Sequence, residues 1–546
     1  LIASRLLSHP HRRKNIAEKC TVFVDRGVDK LKDFYVLVLR KALSFRVLTL
    51  AIVVVLFVIT MRTVPGIIGG ELMPRMDTGI VLVDFTTPAT NSPKQVEKVL
   101  GRVEAMIHRQ EGVEKVSAVV GSEPGAISFG SGNTVQSVNI KVHLVPRTER
   151  EDSIWQIEDR WRENLRQTPG IQSFQVTEYG ATPMATTKAP LDIIISGPDP
   201  QVLDRLARRC LKKLKGVPGL TDVRRSWYFD EKEHTVKVDP ALAQVYNTSP
   251  EKISREIKAA VNGVPATTMR LEDYLDIPLT VAYRDADMNK PRHVRDAYIN
   301  TKFGPVPLRT LASVKSTREQ PFITREQLQS TIDITGVNAT YTIKQVAQKV
   351  KKRLKTMSPP RDYDIKLSGT FRDMKHTQKQ LIGALAIGLV FLYLILLAMF
   401  RSFVLPVSIM SIIPVAIAGG IWGLLLFDKA LSMPAIMGMI FLAGTKINDS
   451  VLLLDFITNA RRNGMAEREA IMQSVRLRLR PILMTTFSTC IGLSPLMFEM
   501  AVGLERMSPL AIVASTGLLV GTFLTMIVVP VVYSCIESLK TALFRL

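Results

Sequence analysis

The sequence predicts a membrane bundle of six helices, one followed by five, with an α+β region of two β-α-β-β-α-β units between the first helix and the second. Three observations predict this fold class. Apolar residues are concentrated in six long runs of the 546-residue chain, and a helix needs about 20 such residues to cross a bilayer. Residues 66–378 contain no such run and read as soluble. Within them, one order of strands and helices occurs twice.

The apolar runs set the boundaries of the predicted membrane helices. These helices cover residues 45–65, 379–400, 403–427, 432–456, 481–503 and 508–534. Basic residues crowd the loops beside the first run and between the fourth and fifth: Arg12, Arg13, Lys14, Arg40, Lys41, Arg46, Arg461, Arg462, Arg468, Arg476, Arg478 and Arg480. Loops rich in Lys and Arg stay in the cytoplasm. We therefore expect both termini in the cytoplasm and residues 66–378 on the far side of the membrane.

The composition excludes several classes of function. The formal net charge is +22, but the basic residues lie beside the membrane runs, whereas a nucleic-acid surface needs a basic face on a folded soluble domain. The four cysteines are far apart and no Cys or His pair has ligand spacing, so neither a disulfide framework nor a metal site is predicted. GxSxG and phosphate-loop motifs are absent as well. We therefore expect no nucleic-acid partner and no enzyme.

The first soluble unit begins with a β-rich segment at residues 79–85, GIVLVDF. Ser92, Pro93 and Gln95 then have the pattern of a capping box at a helix start. Apolar residues follow at helical spacing: Val96, Val99, Leu100, Val103 and Ile107. The remaining predicted elements are strands at 113–121 and 135–144, a helix through Ile154, Trp161 and Leu165, and a strand at 171–179. This order is that of the ferredoxin-like split β-α-β fold.

The second unit repeats this order but is interrupted. It is predicted to contain a strand at 191–197, a helix from Asp199 to Leu214, strands at 220–227 and 234–239, a strand at 331–336, a helix through Ile343, Val346, Val350 and Leu354, and a strand at 363–369. Residues from about 240 to 315 therefore form an insertion, which opens with a helix capped at Ser249 and Pro250. Both units could also be folded support for another part of the molecule.

The start of the chain has two features. Residues 19–43 alternate apolar and charged residues at helical spacing, which predicts an amphipathic helix on the cytoplasmic surface of the membrane. The chain opens on Leu1 without an initiator Met and without the layout of a signal peptide. We therefore expect a fragment of a longer protein.

With this organisation the chain resembles one half of a resistance-nodulation-division (RND) transporter. The resemblance rests on the 1+5 helix plan with two interrupted soluble repeats, and on two long motifs: residues 475–496, VRLRLRPILMTTFSTCIGLSPL, are similar to the entry of the family's eleventh membrane helix, and 516–533, TGLLVGTFLTMIVVPVVY, to its twelfth. Residues 1–7, LIASRLL, resemble the end of the sixth helix. The chain therefore resembles the C-terminal half of such a transporter.

The resemblance implies a division of the chain. Its parts are a cytoplasmic segment at 1–44, a membrane helix at 45–65, a first porter subdomain at 66–185, a second at 186–239 and 316–372, a docking-type insertion at 240–315, a five-helix membrane domain at 379–534 and a cytoplasmic tail at 535–546. Residues 66–378 would lie in the periplasm of a bacterial cell, and the helices in its inner membrane.

The resemblance also implies activity and partners. It predicts a secondary active transporter, a proton antiporter that uses the proton gradient and no cofactor to export amphiphilic or hydrophobic compounds, as multidrug efflux pumps do. Its partners would be the N-terminal half of the same transporter, two further copies in a homotrimer, membrane lipids, a periplasmic adaptor and an outer-membrane channel. A heavy-metal cation exporter and a protein-export or lipid-handling relative remain alternatives. The absence of an obvious methionine triad favours amphiphiles over metals, and the docking-type insertion disfavours the export relative.

A glycine-rich stretch at 121–134, GSEPGAISFGSGNT, resembles the family's switch loop in the substrate path. The residues that would line this path are Gly125, Phe129, Gly130, Gly132 and Asn133. Glycines permit turns with positive φ and rearrangement of the loop, and Phe129 offers an apolar contact. An ordinary flexible connection is the alternative interpretation.

Charged residues interrupt the fourth apolar run of the sequence. Lys446 and Asp449 lie three residues apart, on one face of a helix, and could pair with each other. An ionisable side chain at mid-membrane costs at least about 2.5 kcal/mol, so its presence suggests an ion pathway. The alternative is a pair that neutralises itself and merely tolerates the bilayer.

The family's proton relay implies roles for five residues. In proton-driven members, a lysine on the tenth helix meets two aspartates of the fourth, assisted by a threonine and an arginine of the eleventh. Aligned without gaps, the lysine position falls on Asn448, which is a departure, while the assisting residues fall on Thr485 and Arg478. The predicted relay set is Lys446, Asn448, Asp449, Arg478 and Thr485.

The departure at Asn448 leaves three interpretations open. Asp449 carries the proton with Lys446 as its counter-ion; or a fourth helix outside this sequence supplies carboxylates to Lys446; or this half is not coupled to protons.

Overall fold

The computed structural model of the chain describes residues 31–121, 134–180, 189–270, 277–284, 291–320 and 323–543. The first two helices are α1, over residues 31–44, and α2, Arg46–Ile67. Helix α1 coincides with the described part of the predicted amphipathic helix. Its apolar face, which includes Tyr35 and Leu39, is buried against the later membrane helices. The amphipathic pattern thus serves as a packing face on the bundle.

The first soluble unit contains all six predicted elements. They are β1 (Ile80–Thr86), α3 (Pro93–His108), β2 (Val113–Val120), β3 (Ser137–Leu144), α4 (Ile154–Gln167) and β4 (Ser173–Glu178). The strands form one antiparallel sheet in the order β2-β3-β1-β4, the order that a split β-α-β arrangement requires. The predicted capping box is present, because the Ser92 amide donates to Gln95 Oε1 at 2.8 Å.

The second unit repeats this plan around a sheet in which β5 and β14 are central. Its elements before the insertion are β5 (Leu191–Ser196), α5 (Pro200–Leu214) and β6 (Leu220–Arg225). The insertion contains β7 (Glu231–Val238), α6 (Pro240–Val245), α7 (Pro250–Asn262), β8 (Val264–Met269), β9 (Ile277–Val281), α8 (Pro291–Asp296), β10 (Tyr298–Thr301), β11 (Gly304–Pro307), α9 (Leu308–Leu311) and β12 (Ala312–Glu319). The elements after it are β13 (Thr324–Glu326), β14 (Gln329–Asn338), α10 (Ile343–Leu354) and β15 (Asp364–Ser368).

The pairing of β7 differs from the prediction. The sequence placed the strand at 234–239 in the second unit, but β7 pairs with β12 over eight residue pairs in a separate two-stranded sheet. The place next to β6 is taken by β14, which also pairs with β5. The reason is topological: β7 and β12 are the outgoing and returning strands of the insertion, so they pair with each other and form its stalk.

The membrane helices follow the second unit. They are α11 (Thr370–Phe400), α12 (Val404–Met410), α13 (Ile412–Leu426), α14 (Met433–Arg462), α15 (Glu467–Met497) and, after a 3-10 turn at Leu504–Arg506, α16 (Ser508–Leu543). In the described part of the chain, five helices are long and apolar enough to cross a membrane, with α12 and α13 counted as one. Helix α15, which contains the run predicted at 481–503, is not among them. Its first half is charged and its second half contains Thr, Ser and Pro residues.

Helices α13 and α16 approach each other closely at glycines of α13. A Cβ at Gly419 would lie 2.6 Å from Cβ of Val520, and one at Gly423 would overlap Thr516. Small residues at such spacing let helix backbones touch in a membrane, where apolar burial alone does not drive association. Helix α16 is therefore fixed against α13 before any polar contact is considered.

A buried charge network joins the two soluble units. Arg162 of α4 donates from Nε to Asp222 Oδ2 of β6 at 2.9 Å and from Nη2 to Glu158 Oε2 at 3.0 Å. Arg75, in the segment that follows α2, donates to Glu178 Oε1 at 2.7 Å and to Glu158 Oε2 at 3.1 Å. The three carboxylates are almost fully buried. The network thus connects the exit of α2, the first unit and the second unit.

The network has more buried carboxylates than guanidinium groups. Three carboxylates face Arg75 and Arg162, while Asp159, which also accepts from Arg162, is exposed. Burial and the neighbouring Glu178 raise the pKa of Glu158 above the ordinary glutamate range, because burial and a nearby like charge both disfavour the ionised form. Glu158 Oε1 is also buried without a hydrogen-bond partner among the described residues. A neutral Glu158 therefore balances the network.

This balance predicts a specific pH dependence of stability. A folded-state pKa above the unfolded value means that the contribution of neutral Glu158 is complete at low pH and is lost as the pH rises through the raised pKa. We expect the midpoint of thermal unfolding to decrease as the pH rises from about 4.5 to about 8, and to decrease less in Glu158→Gln. Glu163→Gln is the matched control, because Glu163 lies on the same helix and is exposed. If the unfolding midpoint decreased equally with pH in wild type and Glu158→Gln, Glu158 would not be the neutral carboxyl group of the network.

Candidate intramembrane ion-pair site

Lys446 lies on the face of α14 that packs into the bundle. Its side chain has 0% exposure, and the same face carries the buried residues Leu442, Ile447, Ser450 and Leu453. The apolar residues of this face lie at helical spacing and pack against α16. Lys446 lies among them and therefore points into the bundle. An ammonium group in such a place is stable only when it is paired and hydrogen-bonded.

The ammonium group of Lys446 has two partners among the described residues. Nζ lies 2.9 Å from Asp449 Oδ2, one turn along the same helix, and it donates to Thr522 Oγ1 of α16. The predicted Lys446–Asp449 pair is therefore present. Because an ammonium group has three N–H donors, one further acceptor could be accommodated.

Thr522 connects the pair to two helices. Its hydroxyl donates to the Leu518 carbonyl oxygen at 2.7 Å, and its Oγ1 lies 2.7 Å from Thr486 Oγ1 of α15. A hydroxyl has one proton and two lone pairs, so with that proton on Leu518, Thr522 accepts from both Lys446 and Thr486. One charged side chain thus ties together α14, α15 and α16.

Gly521 provides the space that Lys446 occupies. A Cβ at this position would lie 3.1 Å from Lys446 Cδ, 3.2 Å from Lys446 Cε and 3.1 Å from the Cβ of Ala416. Such distances are shorter than ordinary van der Waals contacts. The glycine next to Thr522 therefore allows the lysine to reach the threonine.

The other predicted relay residues lie elsewhere on these helices. Asn448 and Thr485 are exposed, and Thr485 Oγ1 donates to the Ile482 carbonyl oxygen of its own helix at 2.9 Å. The guanidinium carbon of Arg478 lies 3.8 Å from the ring centre of Phe456, a cation–π contact. The structure brings Lys446 and Asp449 together. Asn448, Thr485 and Arg478 do not take part in the hydrogen bonds of this pair. The five switch-loop residues, Gly125 to Asn133, fall outside the described residues.

The sequence interpretation missed Thr486, Thr522 and Gly521. Thr486 directly follows the predicted Thr485, and neighbours on a helix point about 100° apart, so helical phase could have chosen between them. The sequence 521-GTFLT-525 places a small residue beside a hydroxyl in an apolar run, but nothing local says which helix it faces.

The bundle contacts the first soluble unit through the loop between α15 and α16. Arg147, just after β3, forms an ion pair with the buried Glu505 and donates to the Glu499 carbonyl oxygen. Arg506 donates to the Gly180 carbonyl oxygen, just after β4, at 2.6 Å. Since α16 begins at Ser508, its first residues are anchored to the sheet of the first unit.

The fold and this buried pair define the class of protein, a multi-pass membrane protein with a soluble α+β region. The chain belongs to the AcrB/AcrD/AcrF family of RND transporters, whose family model matches residues 1–537. The members of this family are transporters and not enzymes, and the predicted resemblance is confirmed.

Solved structures show the same fold. One crystal structure of a heavy metal efflux pump is 20% identical, with a TM-score of 0.83, over 94% of this chain and 52% of that chain. A second crystal form of a heavy metal efflux pump is 22% identical, with a TM-score of 0.79, over 95% of this chain and 52% of that one. The chain spans about half the length of the structures that it matches.

The contact at Gly521 generates a prediction about stability. Gly521→Val would place methyl groups where Lys446 and Ala416 lie, so we expect a loss of about 1–3 kcal/mol from overpacking. Gly444→Val is the matched control, since Gly444 is helical, two residues from Lys446, and a Cβ there meets nothing within 4 Å. Thermal unfolding of the purified chain in detergent measures both. Equal midpoints for the two variants would show that Gly521 is not needed for the lysine.

Proposed function

We propose that the chain forms one half of a proton-driven RND exporter, and that Asp449 carries the proton with Lys446 as its counter-ion. The observation that carries this proposal is the pairing of the two side chains inside an apolar bundle. Asp449 is 14% exposed whereas Lys446 is fully buried. A proton can therefore reach the carboxylate without the ammonium group leaving its site.

The physical step is a change of charge balance. While Asp449 is ionised, the pair is neutral. A proton on Asp449 leaves the ammonium group without its counter-charge, and breaking a buried pair costs about 3–5 kcal/mol. The helices can lower this cost by moving until Lys446 finds another acceptor. Because Lys446 also holds Thr522, such a movement shifts α14 relative to α16.

The remaining parts of the proposed transporter follow from the family. The two soluble units are its periplasmic porter subdomains, the insertion on the β7–β12 stalk is its docking subdomain, and α15 is the fifth of the six membrane helices in this half. The complete protein lies in the bacterial inner membrane as a homotrimer that contains a second, N-terminal half, with a periplasmic adaptor and an outer-membrane channel as partners.

We assign amphiphilic or hydrophobic compounds as the substrates. The sequence supports this class because it contains no obvious methionine triad, and thioethers are soft ligands that suit heavy-metal cations. Export of heavy-metal cations is the second candidate, and one observation favours it: the two solved structures of similar fold are both heavy metal efflux pumps. Their identity of 20% and 22% supports a common fold more strongly than a common substrate.

The role of Asp449 is tested in the whole transporter that contains this chain. Asp449→Asn keeps the size of the side chain but cannot carry a proton, so we expect substrate-driven proton flux to be lost while assembly persists. Proteoliposomes with an internal pH-sensitive dye measure the flux, and size-exclusion chromatography measures assembly.

Asp455→Asn is the matched control for this test. Asp455 lies on the same helix but is exposed, and its carboxylate accepts from Asn459 at 3.3 Å, so flux should remain in Asp455→Asn. Intact flux in Asp449→Asn would mean that carboxylates outside this chain carry the proton. Absence of flux in the wild type would mean that the whole transporter is not coupled to protons, which would overturn the proposal.

The substrate class has its own test. In bacteria that lack other exporters, the whole transporter should raise the inhibitory concentration of amphiphilic dyes and detergents and leave that of copper and zinc salts unchanged. Asp449→Asn provides the inactive reference at equal expression. Resistance to the metal salts without resistance to the amphiphiles would replace the first candidate with the second.

A further inference from the structure

An apolar groove runs along the outer side of α2. It has a volume of about 620 Å³ and lies between α1 and α2 on one side and α13 and α16 on the other. Its walls include Ile52 and Leu56 of α2, Val415 of α13 and Leu524 of α16. Only 11% of the apolar span of α2 is buried inside the protein. Apolar material must therefore cover this surface from outside.

Along α2 the groove covers about the length of one leaflet. Its lining on that helix runs from Leu48 to Thr60, 12 residues that correspond to about 18 Å, and one leaflet takes up half of the ~30 Å hydrocarbon core. At the far end Thr60 Oγ1 accepts from Trp422 Nε1 at 3.0 Å and donates to the Leu56 carbonyl oxygen at 2.8 Å. The indole N–H and the hydroxyl proton are both used in these bonds, so neither is free to donate to a ligand.

The end at Lys41 is different because it is cationic. Two basic side chains near it are already engaged: Arg46 donates to the Ser534 carbonyl oxygen and to Ser538 Oγ, and Arg468 donates to Ser44 Oγ. Lys41 is exposed and lines the groove itself. Asp33 is the acidic residue in the described part of α1 and lies two turns away. Among the described residues Lys41 has no ion-pair partner, so an anion at the mouth of the groove would meet its ammonium group.

We propose that this groove binds an anionic phospholipid, with the acyl chains along α2 and the phosphate at Lys41. The apolar walls match acyl chains, and the single cationic end selects the headgroup. Attraction between a basic side chain and anionic lipid is worth about a fivefold preference per residue. The inference does not rest on the proposed transport activity, because it concerns the outer face of the bundle and not the Lys446 site.

Native mass spectrometry of the purified full chain in detergent tests the proposal. The protein is titrated with phosphatidylglycerol and, separately, with phosphatidylcholine of the same acyl chains. We expect one phosphatidylglycerol to be retained about fivefold more strongly. Equal retention of the two lipids would overturn the proposal. So would a lipid-free oligomer as the main species, since another copy of the chain would then cover the groove.

Two variants and a control locate the lipid. Lys41→Gln should reduce phosphatidylglycerol to the level of phosphatidylcholine, and Ala418→Trp, which fills the groove, should reduce both. Arg40→Gln removes an exposed charge beside Lys41 that does not line the groove and should keep the preference. A preference that persists in Lys41→Gln, or is lost equally in Arg40→Gln, would overturn the assignment. Lys41→Gln decides the question alone if Ala418→Trp does not fold.

Discussion

Burial of the Lys446 ammonium group is the constraint on which the membrane part of the structure depends. Once a charge lies inside an apolar bundle, each neighbour has to lower its cost. Asp449 supplies the counter-charge, Thr522 a hydrogen-bond acceptor, and Gly521 the space for the side chain to reach it. Two glycines between α14 and α16 serve the same end: a Cβ at Gly438 would lie 2.8 Å from the Leu510 carbonyl oxygen, and one at Gly517 would overlap Leu442. Their small size brings α16 close enough for Thr522 to reach Lys446. Apolar packing sets the spacing of the helices, and the charge sets their register.

The sequence predicted most elements because their signals are local. Capping boxes, helical spacing and apolar runs lie within one segment, so the six elements of the first unit and the Lys446–Asp449 pair could be derived without tertiary information. The errors arose where a partner distant in sequence decides. Strand β7 has an ordinary β pattern, and only its pairing with β12, about 80 residues later, shows that it belongs to the insertion. The choice of Thr486 over Thr485 likewise depends on which face of α15 meets α16.

The soluble units use charges in the same way, but with a different outcome. Around Arg75 and Arg162, buried carboxylates outnumber guanidinium groups, and a neutral Glu158 restores the balance. In the bundle, one carboxylate meets one ammonium group, and the pair is balanced only while Asp449 is ionised. A proton on Glu158 therefore balances the first arrangement, whereas a proton on Asp449 unbalances the second. In the proposed mechanism, that difference makes Asp449, and not Glu158, the residue whose protonation drives movement.

Helix α16 gives such a movement a route to the soluble units. Thr522 lies 14 residues from Ser508, so about 21 Å of continuous helix separates the polar cluster from the loop that carries Glu505 and Arg506. These two residues hold the first unit at Arg147 and Gly180, after the ends of β3 and β4, the strands on either side of β1. A helix packed along its length passes a displacement on instead of absorbing it, because packed interfaces switch between discrete arrangements. The first unit is tied to the second through Arg162 and Asp222. A shift of α16 at Thr522 therefore reaches both units through the sheet of the first.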